Sequence, residues 1–294
     1  MRFEKPTIAR DPVDNRYAPS WPGVDDLAGP DGFINEEHRG IYEATKDLPG
    51  WQDNGDSFKL YEAAYFSGEV ILEVGVYGGR SATVELRGAL AAQADHGGPA
   101  PQYYGVDPDL NAYARTTATL QGQGLADRAL LFVGDLRQFL AEVPIVPTMV
   151  FVDGSHAFEG VWADLECLSR WLVPGTAVMA HDYMNPEVPV RPAIDDWVAR
   201  GAYDLLGVSS NTAVLRATDL CRPAGLLPGT PAAPRGLSEA AFADTIRALA
   251  GAYETMPRPG PRPDVAHLTH AARLDLGLAV GPATPAAVPA PATA

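Results

Sequence analysis

The middle of the chain alternates short, nearly continuous apolar runs with longer amphipathic stretches. Five runs read as strands, at 69–76, 102–107, 129–134, 148–153 and 176–182. Each is rich in β-branched or aromatic residues. Helical periodicity follows the first run at 82–93. It follows the fourth at 157–172, where Phe158, Val161, Trp162, Leu165, Leu168 and Leu172 share one face. Strands without polar alternation, separated by helices, predict a parallel sheet covered on both sides. Two further runs, 203–210 and 211–216, have almost nothing between them and predict an antiparallel hairpin. The expectation is an α/β, Rossmann-like sheet of seven strands, five parallel and two in a terminal hairpin.

The flanks read differently. Residues 1–30 mix proline with Asp, Gly and Ser and predict an extended arm; 31–68 predict a helical cover over the site. The α/β domain is expected over 69–220, followed by a proline-rich linker at 221–278 and a low-complexity Ala/Pro tail at 279–294 expected to be disordered. One helix interrupts the linker at 238–253, with Ser238 as N-cap and Phe242, Ile246, Leu249 and Tyr253 as its stripe. That stripe needs a surface, either the main domain or a second subunit, so a homo-oligomer is among the partners the sequence allows.

Composition narrows the function. Of 294 residues, 37 are acidic and 22 basic, a net charge of −15, and the arginines are scattered. Such a chain is repelled by phosphate backbones, so no nucleic-acid partner is expected. No run of about 18 apolar residues is present to span a membrane. The opening residues lack the apolar core of a secretion signal. The only two cysteines, Cys167 and Cys221, stand far apart, which excludes a disulfide framework and fits a cytoplasmic location.

In an open α/β sheet, ligands lie beyond the carboxyl ends of the strands. After the first strand come Glu73, Gly75, Gly79 and Ser81, spaced acid-x-G-x-x-x-G. The glycines permit close backbone approach, or else only a tight strand-to-helix turn. A pyrophosphate fingerprint is absent, which argues against a nicotinamide-dependent oxidoreductase. An acid ahead of the turn suits a cationic amino-acid group. Asp107 after the second strand can accept both hydroxyls of a ribose, or form a turn before Pro108. Asp135 after the third strand can meet a nucleoside base, or cap the next helix. Together these describe a nucleoside site with little provision for phosphate, the chemistry of S-adenosylmethionine.

Over residues 58–217 the sequence resembles the class I S-adenosylmethionine-dependent methyltransferases, with Glu73–Gly79 matching their first motif and Asp107 their second-motif acid. Five parallel strands and a hairpin also suit that family better than a dehydrogenase. The blocks VDGSHAFEGVWADLE (152–166) and AHDYMNPEVPVRPAIDDWV (180–198) are similar to metal-dependent sugar O-methyltransferases of antibiotic tailoring, the macrocin and aminocoumarin type, and to cephalosporin-hydroxylase-like proteins. The resemblance implies a small-molecule acceptor and a site of three acidic metal ligands, one on the fourth strand and a pair on the fifth. Asp153 and Asp182 match two of the three. His181 stands where the family has an acid, and imidazole moves preference from Mg²⁺ toward Mn²⁺, Fe²⁺ or Zn²⁺. The alternative is two carboxylates hydrogen-bonded at loop starts. His156, three residues beyond Asp153, resembles the general base of the sugar enzymes; it can equally cap the helix that follows. Tyr61, Tyr65, Phe66 and Tyr183 are further candidates for contact with acceptor or cofactor. Transfer to nitrogen or carbon without a metal, and binding without turnover, stay open.

Overall fold

A computed structural model describes residues 36–143, 145–221 and 236–255. The expected arm at 1–30 and tail at 279–294, and most of the expected linker, lie outside the described residues. Strands β1 (Val70–Val74), β2 (Gln102–Asp107), β3 (Ala129–Val133), β4 (Met149–Val152), β5 (Ala177–Ala180), β6 (Tyr203–Ser209) and β7 (Thr212–Ala217) form one seven-stranded sheet in the order β3-β2-β1-β4-β5-β7-β6. The first five are parallel, and β7 is antiparallel to both β5 and β6. The strand order reverses between β1 and β4, which sets the switch point there.

The helices are α1 (Glu36–Thr45), α2 (Asn54–Ser67), α3 (Arg80–His96), α4 (Leu110–Gly122), α5 (Leu136–Glu142), α6 (Phe158–Ser169), α7 (Val190–Ala199) and α8 (Glu239–Thr255). Successive strand residues point to opposite faces, and the core divides accordingly. Ile71, Tyr103, Met149 and Phe151 pack with α1 to α4 on one face. Leu72, Val74, Val106 and Val152 pack with α5 to α8 on the other. Among the described residues no helix is long and apolar enough to cross a membrane.

The stripe of α8 finds its surface on the main domain. Phe242 meets Tyr104 edge-on at 5.3 Å, Tyr253 meets Tyr113 at 4.6 Å, and the Tyr253 hydroxyl receives the Val133 N–H at 3.0 Å. Ser238 caps the helix, accepting from the Ala241 N–H at 3.2 Å. Of the five tryptophans, Trp162, Trp171 and Trp197 pack against the core.

Several parallel strands end a residue or two before the sequence pattern does. β1 stops at Val74 because Gly75 has φ +89°, outside extended backbone. Asp153 and Asp182 likewise fall past the ends of β4 and β5. The hydrophobic run thus continues into the turns that carry the candidate site.

Candidate active site

A cavity of about 870 Å³ opens at the carboxyl ends of β1 to β5, within the range of small-molecule sites. Of the residues singled out from sequence, Gly75, Ser81, Asp107, Asp135, Asp153, His156, His181 and Asp182 line it. Gly79 and Glu73 support it from behind.

Gly75 is required twice. Its φ disfavours any side chain, and a Cβ there would fall 2.4 Å from the Asp153 carbonyl oxygen and 2.6 Å from Gly154 Cα. The turns after β1 and β4 therefore touch through a missing side chain. A Gly75→Val variant would wedge the switch point apart and would not report on ligand contact alone. Gly79, at φ +83°, opens α3.

Glu73 differs from the expectation of a surface acid facing the ligand. It is fully buried, and its carboxyl accepts from the Ser81 and Tyr103 hydroxyls. Desolvation outweighs those bonds and pushes its pKa up to about 8. Its neighbour Glu85, also fully buried, is raised well above the ordinary range by burial and then by the Glu73 charge. The acid of the glycine motif is a foundation of the turn, not part of its surface.

Asp107 binds the same turn from the other side. Its Oδ2 accepts the N–H groups of Val76 and Tyr77 at 3.0 and 3.4 Å, and Oδ1 accepts that of Asp109 at 2.8 Å. Asp135 caps α5 through a reciprocal pair: Gln138 N–H to Asp135 Oδ1 at 2.8 Å, Asp135 N–H to Gln138 Oε1 at 3.2 Å. Facing Asp135 on the wall is Asp164, raised to about 6 by burial and then by Asp135.

At the other end two imidazoles and two carboxylates converge. His181 Nδ1 lies 3.2 Å from Asp153 Oδ1 and 3.6 Å from Asp182 Oδ2. His156 Nε2 lies 3.2 Å from Asp182 Oδ2 and 3.8 Å from Asp153 Oδ1. Asp182 takes φ +58°, a left-handed conformation that Asp tolerates better than most residues. Its Oδ1 is occupied by the side-chain amides of Asn211 and Asn185, at 2.8 and 3.0 Å, which leaves Oδ2 for the cluster. Burial alone would lower the pKa of His181, but hydrogen bonds and charge from Asp153, Asp182 and Asp56 reverse this and raise it to about 12. Asp153 foremost, opposed by burial and helped by Asp182, raises that of His156. His181 in turn holds Asp182 well below the usual carboxylate range, against burial.

One ligand atom from each of Asp153, His181 and Asp182 can be chosen so that all lie within 4.8 Å of one another. Two carboxylate oxygens and an imidazole nitrogen are a donor set that fits a divalent cation of the Mn²⁺ or Fe²⁺ type, once the imidazole has given up its proton.

Asp56 has no signal in the sequence. It sits on α2, wholly buried, accepting from Asn211 N–H at 3.0 Å and Thr212 Oγ1 at 2.8 Å, with Oδ2 3.5 Å from His181 Nε2. Asn211 reads only as a hairpin-turn residue. Asn185 and Arg80 are equally silent. The cover over the cavity is the loop 49–53, which lines it, rather than the helices of 31–68. Tyr61, Tyr65 and Phe66 stay outside the cavity. Tyr183 is buried with its hydroxyl donated to Asp195 at 2.7 Å, so it faces α7 rather than a ligand.

A Rossmann-like sheet with a cavity at its switch point and acids at the strand ends has the layout of a ligand-binding α/β domain. Residues 72–183 match the family model described as a methyltransferase domain. The strand order is that of the Rossmann-like methyltransferase sheet expected from the sequence. No curated protein matches it. Among solved structures, an O-methyltransferase of Streptomyces achromogenes involved in tomaymycin synthesis is similar at 17% identity, over 63% of this chain and 91% of its own, with TM-score 0.45. An O-methyltransferase of Bacillus cereus, solved with S-adenosylhomocysteine, is similar at 16%, over 69% and 98%, with TM-score 0.47. A TDP-rhamnose 3′-O-methyltransferase of calicheamicin biosynthesis is similar at 20%, over 64% and 95%, with TM-score 0.44.

Proposed function

We propose that this protein transfers the methyl group of S-adenosylmethionine to a hydroxyl of a small-molecule acceptor. The nucleoside lies over the glycine turn, with Asp107 at its ribose and Asp135 toward its base. The acceptor lies against Asp153, His156, His181 and Asp182. The observation that carries this reading is the convergence of His156 and Asp182 at the cavity end remote from Asp107 and Asp135. There an imidazole held by a carboxylate faces open space. A hydroxyl has a pKa far above neutrality, so its proton must leave as the oxygen attacks. With Nε2 turned to Asp182 Oδ2 at 3.2 Å, the other ring nitrogen of His156, Nδ1, takes that proton, the acceptor oxygen bonds to the methyl carbon, and the carbon–sulfur electron pair returns to sulfur to give S-adenosylhomocysteine. Asp182, oriented by Asn211 and Asn185, holds the imidazolium that forms. A divalent cation held by Asp153, His181 and Asp182 would lower the pKa of a bound hydroxyl. At the rim Trp51 is 82% exposed and Tyr77 46% exposed, which supports an acceptor with an apolar face.

A second reading has its own support. His181, 3.2 Å from Asp153, 3.5 Å from Asp56 and 3.6 Å from Asp182, makes the cluster an ion-pair network without a cation, which favours a metal-free transferase with His156 working alone. Methyl-labelled S-adenosylmethionine, offered with a panel of hydroxyl-bearing small molecules, with and without chelator, separates the two. Loss of transfer on chelation supports the metal, and chelator resistance supports the second reading. Calorimetric titration should show S-adenosylhomocysteine binding and no NAD binding; the reverse would sink both.

A further inference from the structure

The two halves of the loop 49–53 rest on different walls of the cavity. Pro49 and Gly50 lie on the turn after β1: a Cβ on Gly50 would fall 2.7 Å from Arg80 Cβ, and one on Gly78 would fall 2.7 Å from both Cγ and the carbonyl oxygen of Pro49. Beyond Gly50 the chain runs toward the hairpin of β6 and β7. Asp53 Oδ2 accepts from Ser210 Oγ at 3.2 Å, and the residue after Ser210, Asn211, holds Asp182. Gln52 lines the cavity between the exposed Trp51 and this junction, on the side of the acceptor end.

Among the described residues, three side-chain atoms of the cavity lining are buried without a hydrogen bond: Arg80 Nε, His181 Nε2 and Gln52 Oε1. Charge compensates the first two. Arg80 faces Asp53 and Asp56, and His181 Nε2 lies 3.5 Å from Asp56 Oδ2. Gln52 is neutral and 7% exposed, and its Oε1 has no such compensation. A carbonyl oxygen buried and left unbonded is costly, and each such group in a native structure calls for an explanation. On the wall of a ligand cavity, the explanation is a donor that arrives with the ligand.

We propose that Gln52 selects the acceptor, its Oε1 receiving an O–H or N–H other than the hydroxyl that is methylated; this rests on the hydroxyl-transfer reading above. The acceptor is then a molecule with an apolar face and two donors. The face lies on Trp51, the second donor meets Gln52 and the reacting hydroxyl meets His156. A molecule with the reacting hydroxyl alone fits the same space but leaves Oε1 unpaired, and a site built to bond a donor rejects the analogue that lacks it. Gln52 takes no part in proton transfer, so it acts on acceptor binding rather than on the chemical step.

Kinetics of the full chain with methyl-labelled S-adenosylmethionine and four probes test this. Phenol carries one donor; catechol, resorcinol and 3-aminophenol each add a second at a different place. The best two-donor probe should exceed phenol about ten- to a hundredfold in kcat/KM, mainly through KM. Gln52→Met keeps the length of the side chain and removes the amide. It should cut the preference below about threefold, with kcat/KM for phenol and the affinity for S-adenosylhomocysteine within about twofold. Gln52→Glu, which keeps an accepting oxygen, should retain most of the preference. A preference that survives Gln52→Met overturns the proposal, because another group would then read the second donor. A parallel loss of S-adenosylhomocysteine affinity overturns it too, since Gln52 would then serve the cofactor. If Gln52→Met does not fold, or no probe turns over, titration of the unmodified protein with S-adenosylhomocysteine bound still decides: phenol binding as tightly as every two-donor probe overturns the selection. Failure to bind S-adenosylhomocysteine at all would instead fell the cofactor reading beneath it.

Discussion

The two ends of the cavity are built from different materials. At the nucleoside end the turn after β1 is held by backbone. Gly75 has room for no side chain, and Asp107 accepts three main-chain N–H groups. At the acceptor end the geometry is held by side chains from distant segments: Asp56 on α2, Asn211 between β6 and β7, and Asn185 beyond β5. A backbone-built end is part of the fold and should resist change except by losing the fold. A side-chain-built end can lose its chemistry while the protein stays folded, and this contrast gives the following expectations.

The largest effect should come from His156→Ala. Turnover should fall about 10²–10⁴-fold, the usual contribution of a positioned base, while S-adenosylhomocysteine affinity in a titration stays within about twofold. A matching loss of cofactor affinity would show that the two ends are not separable. Next is Asn211→Ala, which removes one of the two amides on Asp182 Oδ1 and loosens the carboxylate's orientation. Turnover should fall about 10–100-fold, the range for lost outer partners of a site, again with cofactor binding intact. Its effect should shrink in a His156→Ala background, since both act on one oxygen.

Asp107→Ala should break the contrast from the other side. It should weaken S-adenosylhomocysteine binding about tenfold or more and also lower the melting temperature, because the part-buried N–H groups of Val76 and Asp109 lose their acceptor, at about 1 kcal/mol each. A stable variant with unchanged affinity would remove Asp107 from both roles. Phe242→Ala, far from either end, should destabilise by about 3–5 kcal/mol in chemical denaturation through the cavity left against Tyr104, with activity per folded molecule unchanged.

The smallest effect concerns the foundation of the nucleoside end. Glu73 and Glu85 bind protons more tightly folded than unfolded, so their contribution is fully present below about pH 4.5, and that of Glu73 is lost as pH rises through about 8. Melting temperature should decline across that window, and Glu85→Gln should flatten the decline. A Glu85→Gln protein with the same pH slope would mean that the pair does not titrate as burial implies.

What could be read from the chain follows the same divide. The strands, α6 and α8 declare themselves by local periodicity. Glycines and acids at strand ends are conspicuous because the strand pattern says where to look. Glu73 shows the limit of that reasoning: its place before the turn is legible, its burial beneath it is not. Whether the motif acid points out or in depends on Tyr103 and Ser81 closing over it. Tyr183 fails in the same way, since α7 supplies the Asp195 that turns it inward.

Residue order by itself therefore determined the layered α/β sheet and the positions of Gly75, Asp107, Asp135, Asp153, His156, His181 and Asp182 at the ends of its strands. Period and turn chemistry act over a few residues and need no tertiary information. Only the tertiary structure decided which of these acids face the cavity, and that Asp56 stands behind His181 and Asn211 behind Asp182. It also decided that the stem of Arg80 lies against a loop some thirty residues earlier in the chain. Those contacts join segments distant in sequence, and chain closure over such distances is settled by packing of the whole sheet, not by local preference.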